Sequence, residues 1–276
     1  MNTQSNHIFF PVSFLELFSA WNHFPQAVIY AGGTDLLRIQ RKNIINLPEA
    51  ILCLDMLEDL HRITRTEHYI EIGSMATLNR LIRIGKIVPE ILCTCLKNIG
   101  GIQLRNTATI GGNICSSSCL YDLSAPLTAL DAQYELRTSS NTRWVSSSRF
   151  HSTEDTGLNK QEILTRIRLP LHQWDYSVYK KISSEDLYNY ELLIFLARAK
   201  KNVLTDIRVV YKSNTILRNK TAEDIICGKY LPLNRKTSND FIENWKDYLS
   251  NRQELSNFSK NNLMSKIEDN IHYLSE

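Results

Sequence analysis

Two glycine pairs flanked by short polar side chains are the features of this sequence best suited to hold a ligand. The first pair follows an apolar run, Ala27 to Tyr30, in the segment Tyr30-Ala31-Gly32-Gly33-Thr34-Asp35. Glycine has no Cβ, so it allows positive φ and lets a ligand approach the backbone closely. Successive amide N–H groups in such a turn can bind an anion, and the Thr34 hydroxyl adds a donor. The segment is a candidate pyrophosphate site; a plain tight turn between a strand and a helix is the alternative.

The second pair lies further along the chain, in the segment Arg105-Asn106-Thr107-Ala108-Thr109-Ile110-Gly111-Gly112-Asn113-Ile114. Thr109 and Asn113 flank the glycines, and their hydroxyl and amide groups can bond to a phosphate or a ribose. A structural hairpin or bulge would also explain these glycines. Two such segments in one domain predict a two-sided clamp on a diphosphate.

Asp122 is a third candidate, because it follows the second segment and precedes an apolar helical stretch. An aspartate at such a position can cap the helix. A carboxylate can also accept hydrogen bonds from ribose hydroxyls. The two roles are compatible, and both are kept as predictions.

Taken together, these residues resemble the flavoprotein subunits of the molybdenum hydroxylases, such as xanthine, carbon monoxide and nicotinate dehydrogenases. AGGTDLL from Ala31 and RNTATIGGNI from Arg105 look like the two FAD loops of that family, and Ile70-Glu71-Ile72-Gly73 with Thr77 matches another of its segments. The similarity covers residues 8–181. It implies FAD as the cofactor and no catalytic side chain of the chain's own.

The resemblance also implies which residues contact FAD. One side of the pyrophosphate would face Ile29, Tyr30, Ala31, Gly32, Gly33, Thr34, Asp35 and Leu36, and the other side would face Thr109, Ile110, Gly111, Gly112 and Asn113. Ser116 would add a hydroxyl and Asp122 would bind the ribose. The flavin ring would lie against Ile99, Ile163, Leu164, Tyr179 and Lys180. Two departures from the family are Cys119, where a proline is usual, and Ser184, where an arginine is usual.

The implied function is electron transfer within a complex. A molybdopterin-binding large subunit would oxidise the substrate, a [2Fe–2S] small subunit would pass the electrons on, and FAD of this chain would deliver them to NAD or another acceptor. Two alternatives remain open: a free-standing flavin oxidoreductase of the same fold, and a scaffold subunit that has lost FAD. The divergent C-terminal part, with Tyr211-Lys212-Ser213-Asn214-Thr215 in place of a glycine-rich stretch, motivates the scaffold.

The predicted elements indicate an α+β fold. By resemblance, residues 1–171 would be a two-subdomain FAD-binding domain of the vanillyl-alcohol-oxidase type, and residues 172–276 a smaller C-terminal α+β domain. The sequence predicts a helix capped by Ser13, a loop from Asn106 to Ser118, a strand closed by Pro170, a helix from Tyr190 to Lys201, and a late helix capped by Ser238.

Composition and cysteine spacing give expectations about partners, cellular location and metal binding. The 276 residues are 43% hydrophobic and 22% charged, with a formal net charge of +3, which gives no reason to expect a nucleic-acid or membrane partner. The polar N-terminus has no signal-peptide pattern, so a cytoplasmic location is expected. Neither Cys93/Cys95 nor Cys115/Cys119 has the usual spacing of a zinc site, and packed thiols are the preferred interpretation over a metal centre.

Overall fold

The computed structural model describes residues 7–38, 47–116, 122–151, 157–183 and 190–276. The chain divides into two compact units, Met1–Leu171 and His172–Glu276. Helices and strands are mixed without strict β-α-β alternation, and the predicted mixed class is confirmed at that level. Within the described ranges, no helix has both the length and the apolar character needed to cross a bilayer.

The first unit contains short helices and strands. Its described strands are β1 (His7–Phe9), β2 (Val28–Tyr30), β3 (Ala50–Cys53), β4 (Ile63–Arg65), β5 (Tyr69–Gly73), β6 (Gln133–Arg137), β7 (Thr142–Ser146) and β8 (Ile163–Pro170). Its described helices are α1 (Phe14–His23), α2 (Thr34–Arg38), α3 (Leu78–Ile84), α4 (Glu90–Lys97), α5 (Ile102–Thr107), α6 (Ile110–Ile114), α7 (Ser124–Ala129) and α8 (Ser147–Phe150), with 3-10 turns at Glu58–His61 and Gly85–Ile87.

A parallel three-stranded sheet in the order β1-β3-β2 carries the first glycine segment at the end of β2. Leu17 and Trp21 of α1 lie one helical turn apart and share a buried cluster with Leu52 of β3. Burial stabilises each such side chain by roughly 1.5–3 kcal/mol. The predicted cap is confirmed, because Ser13 Oγ accepts the Glu16 N–H at 3.3 Å and starts α1.

An antiparallel five-stranded sheet in the order β4-β5-β8-β6-β7 forms the second layer of strands in this unit. Ile70 and Ile72 of β5, Tyr134 of β6 and Ile167 of β8 are fully buried. Residues two apart lie on the same face of a strand, so the alternation in β5 presents one apolar face to the core. The sheet fixes the course of the chain that leaves β5.

The part of the chain that leaves β5 runs beside the second glycine segment. Thr77 and Thr109 form an isolated antiparallel bridge, with the Leu78 N–H donating to Ala108 O at 3.0 Å and the Ile110 N–H donating to Ala76 O at 3.0 Å. Thr77 also caps α3 by accepting the Arg80 N–H. The first glycine segment therefore extends the small sheet, whereas the second is attached to the large one.

The second unit is an antiparallel sheet with helices. Its described elements are β9 (Tyr176–Ser183), β10 (Tyr190–Lys200), β11 (Val203–Lys212), β12 (Ile216–Arg218), α9 (Lys220–Ile226), α10 (Arg235–Ser250) and α11 (Asn257–Tyr273). The strand order is β12-β11-β10-β9. Phe195 of β10, Phe241 and Trp245 of α10, and Leu263 of α11 are fully buried in one cluster, which forms the core of this unit.

Two predictions about the second unit are wrong. The segment predicted as a helix from Tyr190 to Lys201 is strand β10, paired with both β9 and β11. Residues 191–197 are all buried, so this central strand lacks the alternation that distinguishes a strand from a buried helix. The helix predicted to begin at Ser238 begins at Arg235, because the Asn234 side chain accepts the Thr237 N–H at 2.9 Å.

The loop predicted from Asn106 to Ser118 is also wrong over the part that the structure describes. Helix α5 ends within it at Thr107, and α6 occupies Ile110–Ile114. Paired glycines weaken a helix by about 1 kcal/mol each, so these residues carry no helical signal. The Thr109 cap and the hydrogen bonds from the chain after β5 stabilise the short helix instead.

Candidate cofactor-binding site

A cavity of about 340 Å³ lies in the first unit where the two glycine segments meet. Many of the predicted contact residues border it. They are residues 29–36 of the first segment, Thr109, Gly111 and Gly112 of the second, Ser116, and Ile163 and Leu164 of β8. We refer to this cavity as the cleft.

The first glycine segment presents unused backbone donors to the cleft. Among the described residues, no acceptor is found for the N–H groups of Gly32, Gly33 and Thr34. Gly33 has a φ of 67°, in the region that favours glycine. The carbonyl of Tyr30, at the end of β2, accepts the Leu54 N–H at 3.0 Å, and this bond fixes the backbone where the turn begins. Three neighbouring free donors can bind an anionic oxygen.

The second glycine segment has used its donors internally. The Gly111 N–H donates to Ser74 O at 2.8 Å, the Gly112 N–H to Thr109 Oγ1 at 3.0 Å, and the Asn113 N–H to Thr109 O at 3.0 Å. The backbone amides of the second segment are therefore already used within the protein. This segment lines the cleft through Thr109, Gly111 and Gly112.

One hydrogen bond and one backbone packing contact join the two walls of the cleft. The Ser116 hydroxyl donates to Asp35 Oδ2 at 2.9 Å, and Arg38 pairs with Asp35 Oδ1 through Nη2 at 3.0 Å. At Gly32, a Cβ would collide with the carbonyl oxygen of Thr107, so the backbones pack directly against each other there. The charge of Asp35 is thus matched by Arg38, and the carboxylate holds the two walls together.

Several predicted residues lie outside the cleft lining. Ile110 is buried, and the Asn113 side chain accepts the Leu123 N–H at 3.4 Å. Ile99 is half-buried, and its carbonyl accepts a hydrogen bond from Arg105. Their contacts with FAD stay predictions.

Asp122 is buried and directly precedes Leu123, the residue before helix α7 begins at Ser124. Its predicted role as a cap stays a prediction. Tyr179 and Lys180 lie on β9 in the second unit. The roles predicted for these three residues in binding FAD stay predictions, and Cys119 and Ser184 lie outside the described residues.

Sequence reasoning missed other lining residues, including Ser74, Met75, Cys115 and Glu162. Ser74 and Met75 stand between Gly73 and Thr77, both of which the sequence had marked, but neither residue type signals a site by itself. Burial raises the pKa of Cys115 to about 12, so its thiol is protonated near neutral pH and is no nucleophile.

Glu162 forms a buried ion pair at the edge of the cleft. Its carboxylate accepts Arg143 Nε at 2.7 Å, Arg143 Nη2 at 2.8 Å and the Asn159 N–H at 2.8 Å. Burial alone would raise the pKa of Glu162, but the bonds from Arg143 and Asn159 outweigh it and hold the pKa below its ordinary value. Glu162 is therefore ionised and paired, which suits a structural role.

The residues present fit the diphosphate of a flavin dinucleotide. A Cβ on Gly112 would point between the segments, with Thr109 Oγ1 at 3.0 Å and the Ala31 Cβ at 4.0 Å as its neighbours, so the bare glycine leaves room there. Ile163 and Leu164 add an apolar wall beside the donors of the first segment. Within the described ranges, no group of three or more His, Cys, Asp or Glu side chains could hold a metal ion.

The chain is similar in sequence to proteins of one family. The family described as "FAD binding domain in molybdopterin dehydrogenase" matches residues 3–172. The xanthine dehydrogenase FAD-binding subunit of Escherichia coli O157:H7 is 35% identical over 150 residues, covering 53% of this chain and 51% of the relative. The glyceraldehyde dehydrogenase medium chain of Sulfolobus acidocaldarius is 28% identical over 187 residues, or 66% of each chain.

Among solved structures, quinoline 2-oxidoreductase from Pseudomonas putida 86 has a chain that superposes on this one with a TM-score of 0.80. The match covers 100% of this chain and 98% of the other at 18% identity, so it shows a shared fold. The aligned region spans about half the length of the first curated relative.

Proposed function

We propose, because this chain belongs to the family of FAD-binding domains in molybdopterin dehydrogenases, that it is the FAD-carrying electron-transfer subunit of a molybdenum hydroxylase resembling xanthine dehydrogenase. One observation carries the proposal: a single cleft is bordered by the free amides of one glycine segment and the bare glycines of another. Both features favour a diphosphate lying between them.

In this proposal the side chains and backbone hold and shield the cofactor and carry out no chemistry of their own. The N–H groups of Gly32, Gly33 and Thr34 donate to phosphate oxygens from one side. Thr109 closes the other side, while Ile163 and Leu164 exclude water from the ring. FAD supplies the redox chemistry when bound, and the protein supplies its orientation and electrostatic surroundings.

The finer assignments belong to the same proposal. Residues 1–171 form the FAD-binding domain, with the two subdomains of the vanillyl-alcohol-oxidase type, and residues 172–276 form the C-terminal flavoprotein domain. Asp122 contacts the ribose, and Ile99, Tyr179 and Lys180 line the flavin.

We further propose that the chain works in the cytoplasm within a complex. Its partners are a molybdopterin-binding large subunit and a [2Fe–2S] small subunit, and the electrons leave to NAD or another acceptor. The names of the relatives support a place in a multi-subunit dehydrogenase: one is an FAD-binding subunit and another a medium chain.

The test is the visible absorption spectrum of the purified chain, before and after incubation with FAD. Flavin bands that survive gel filtration are expected. A colourless protein that takes up no FAD would contradict the proposal and favour the scaffold. Co-purification of molybdenum and iron–sulfur subunits is expected from the native source, and a flavin-loaded chain that purifies alone would favour the free-standing oxidoreductase.

A further inference from the structure

Ser74 carries a buried hydroxyl for which the protein provides no partner. The residue is 3% exposed and lies in the wall of the cleft. Among the described residues, its Oγ atom has no hydrogen-bond donor or acceptor. Its backbone, in contrast, is fully engaged: the N–H donates to Thr165 O at 3.0 Å and the carbonyl accepts the Gly111 N–H at 2.8 Å.

An orphaned buried hydroxyl is unfavourable for the folded protein, because it has lost its bonds to water and gained none in return. Ser147, in the same unit, is a useful comparison: it is 1% exposed, but its hydroxyl donates to Leu127 O at 3.1 Å. Alanine would fill the position of Ser74 without this loss. The serine is therefore explained if a ligand supplies the missing acceptor.

The place of Ser74 indicates which part of a dinucleotide that would be. A Cβ on Gly111 would collide with the Ser74 Cβ and carbonyl, so the serine packs directly against the start of α6. The next residue, Gly112, borders the gap between the two glycine segments, with Ala31 across from it. The backbone bonds of Ser74 hold it beside Gly111, and both residues line the cleft together with Gly112.

We propose that the Ser74 hydroxyl donates a hydrogen bond to an oxygen of the diphosphate of FAD. This inference rests on the function proposed above. It gives the second wall of the cleft a donor in place of the amides that α6 has used internally. Ser74 is then a cofactor-binding residue. Its unbonded hydroxyl destabilises the flavin-free protein, and the hydrogen bond to FAD removes this destabilisation.

The test measures FAD affinity and stability of the flavin-free chain for Ser74→Ala. The dissociation constant for FAD should rise about tenfold, in line with the loss of a hydrogen bond to a charged group. ADP, which contains the diphosphate, should lose affinity by a similar factor, whereas riboflavin, which lacks it, should not. The melting temperature of the flavin-free protein should stay unchanged or rise.

Ser147→Ala is the matched control. It removes a satisfied buried hydroxyl in the same unit, so it should lower the melting temperature and leave FAD affinity unchanged. Ser74→Cys, which keeps a weak donor of similar size, should fall between wild type and Ser74→Ala in FAD affinity and covers the case in which the alanine variant does not fold.

An unchanged FAD dissociation constant in both Ser74 variants would overturn the inference, as would a loss confined to riboflavin. A melting temperature that drops in flavin-free Ser74→Ala would show a structural role instead. If the wild-type chain binds FAD normally, these results reject the role of Ser74 alone; if the wild-type chain takes up no FAD, the proposed function fails with it.

Discussion

The two glycine segments look alike in sequence but differ in structure. In the first, the amides of Gly32 and Gly33 have no acceptor among the described residues. In the second, the amides of Gly111 and Gly112 donate to Ser74 O and Thr109 Oγ1. The same residue pair thus serves as a donor surface in one wall and as a compact helix start in the other. A glycine pair in a sequence therefore indicates that another group lies close to the backbone, but it does not distinguish a ligand from other protein atoms.

Most of the four glycines are required by protein packing. A Cβ at Gly32 would strike Thr107 O, one at Gly33 would strike the Tyr30 ring, and one at Gly111 would strike Ser74. Gly112 differs, because its Cβ would meet only Thr109 Oγ1 and, at the limit of contact, Ala31. Substitutions at these positions should therefore separate folding from cofactor binding.

Gly112→Val should have the largest effect on the cofactor. The branched side chain would occupy the gap between the segments, so we expect FAD affinity to fall by more than about 100-fold, or roughly 2.7 kcal/mol. Bound flavin per protein after gel filtration measures this. Gly85→Ala is the control: its φ of 68° strains alanine, but an added Cβ meets nothing within 4 Å and Gly85 lies outside the cleft lining, so the protein should keep its flavin. A folded Gly112→Val protein with full flavin content would mean that this glycine does not border the cofactor.

Gly32→Ala should act on stability instead. Its Cβ would force apart the two backbones at Thr107 O, and overpacking against a rigid carbonyl lowers the free energy of unfolding by about 3 kcal/mol, at the upper end of such changes. Gly112→Ala should change it by less than about 1 kcal/mol, since alanine favours the helix. Urea denaturation of the flavin-free proteins compares the two; equal losses would erase the distinction drawn between these glycines.

Substitution of Arg143, the partner of Glu162, tests whether the cleft also depends on residues outside the two glycine segments. Arg143→Met leaves a buried carboxylate without its partner and should lower the free energy of unfolding at pH 7 by about 2 kcal/mol, less than for a fully buried pair because the Arg143 side chain is 30% exposed. Arg62→Met is the control: Arg62 and Asp59 are both largely exposed, and the loss should stay below about 0.5 kcal/mol. Similar losses for both variants would contradict the special role of the Glu162 pair.

The same pair predicts a pH dependence. Because the folded pKa of Glu162 lies below its ordinary value of 4.5, its contribution to stability is present above that pH and is lost as the pH falls through the folded pKa. Wild type should therefore lose more stability than Arg143→Met on acidification below pH 4.5. Parallel stability curves for the two proteins would rule this out.

Ser116→Ala should have the smallest effect. It removes the bond from Ser116 Oγ to Asp35 Oδ2 that joins the two walls, while Arg38 continues to pair with Asp35. We expect FAD affinity to fall about fivefold, corresponding to about 1 kcal/mol for one hydrogen bond. Fluorescence titration with FAD measures it, with the exposed Ser19→Ala as a neutral control. No change would show that the walls hold together without this contact.

The sequence predicted the parts of the site that depend on local rules. A short apolar strand running into Gly32–Gly33 was enough to place the first segment, and Ser13 caps its helix as expected. These features follow from neighbouring residues alone. The sequence could not show that the amides of Gly111 and Gly112 are already used, because one of their acceptors, Ser74, is distant along the chain.

Ser74 itself illustrates the same limit. Nothing in its residue type marks it, and its proposed role arises only because the chain after β5 runs beside α6. Strand β10 was mistaken for a helix for a related reason. A strand buried on both faces has no alternation, and only its pairing with β9 and β11 distinguishes it from a buried helix.

The attachment of each glycine segment to a different sheet has a consequence for biogenesis. The first ends β2 of the parallel sheet, and the second is bonded to the chain that leaves the antiparallel sheet. A molecule held between them spans two layers that each form their own hydrogen-bond ladders. By mass action, ligand at a hundredfold excess over its dissociation constant adds about 2.7 kcal/mol to the stability of the folded state. The supply of flavin during synthesis would then determine what fraction of this chain stays folded and escapes degradation in the cell.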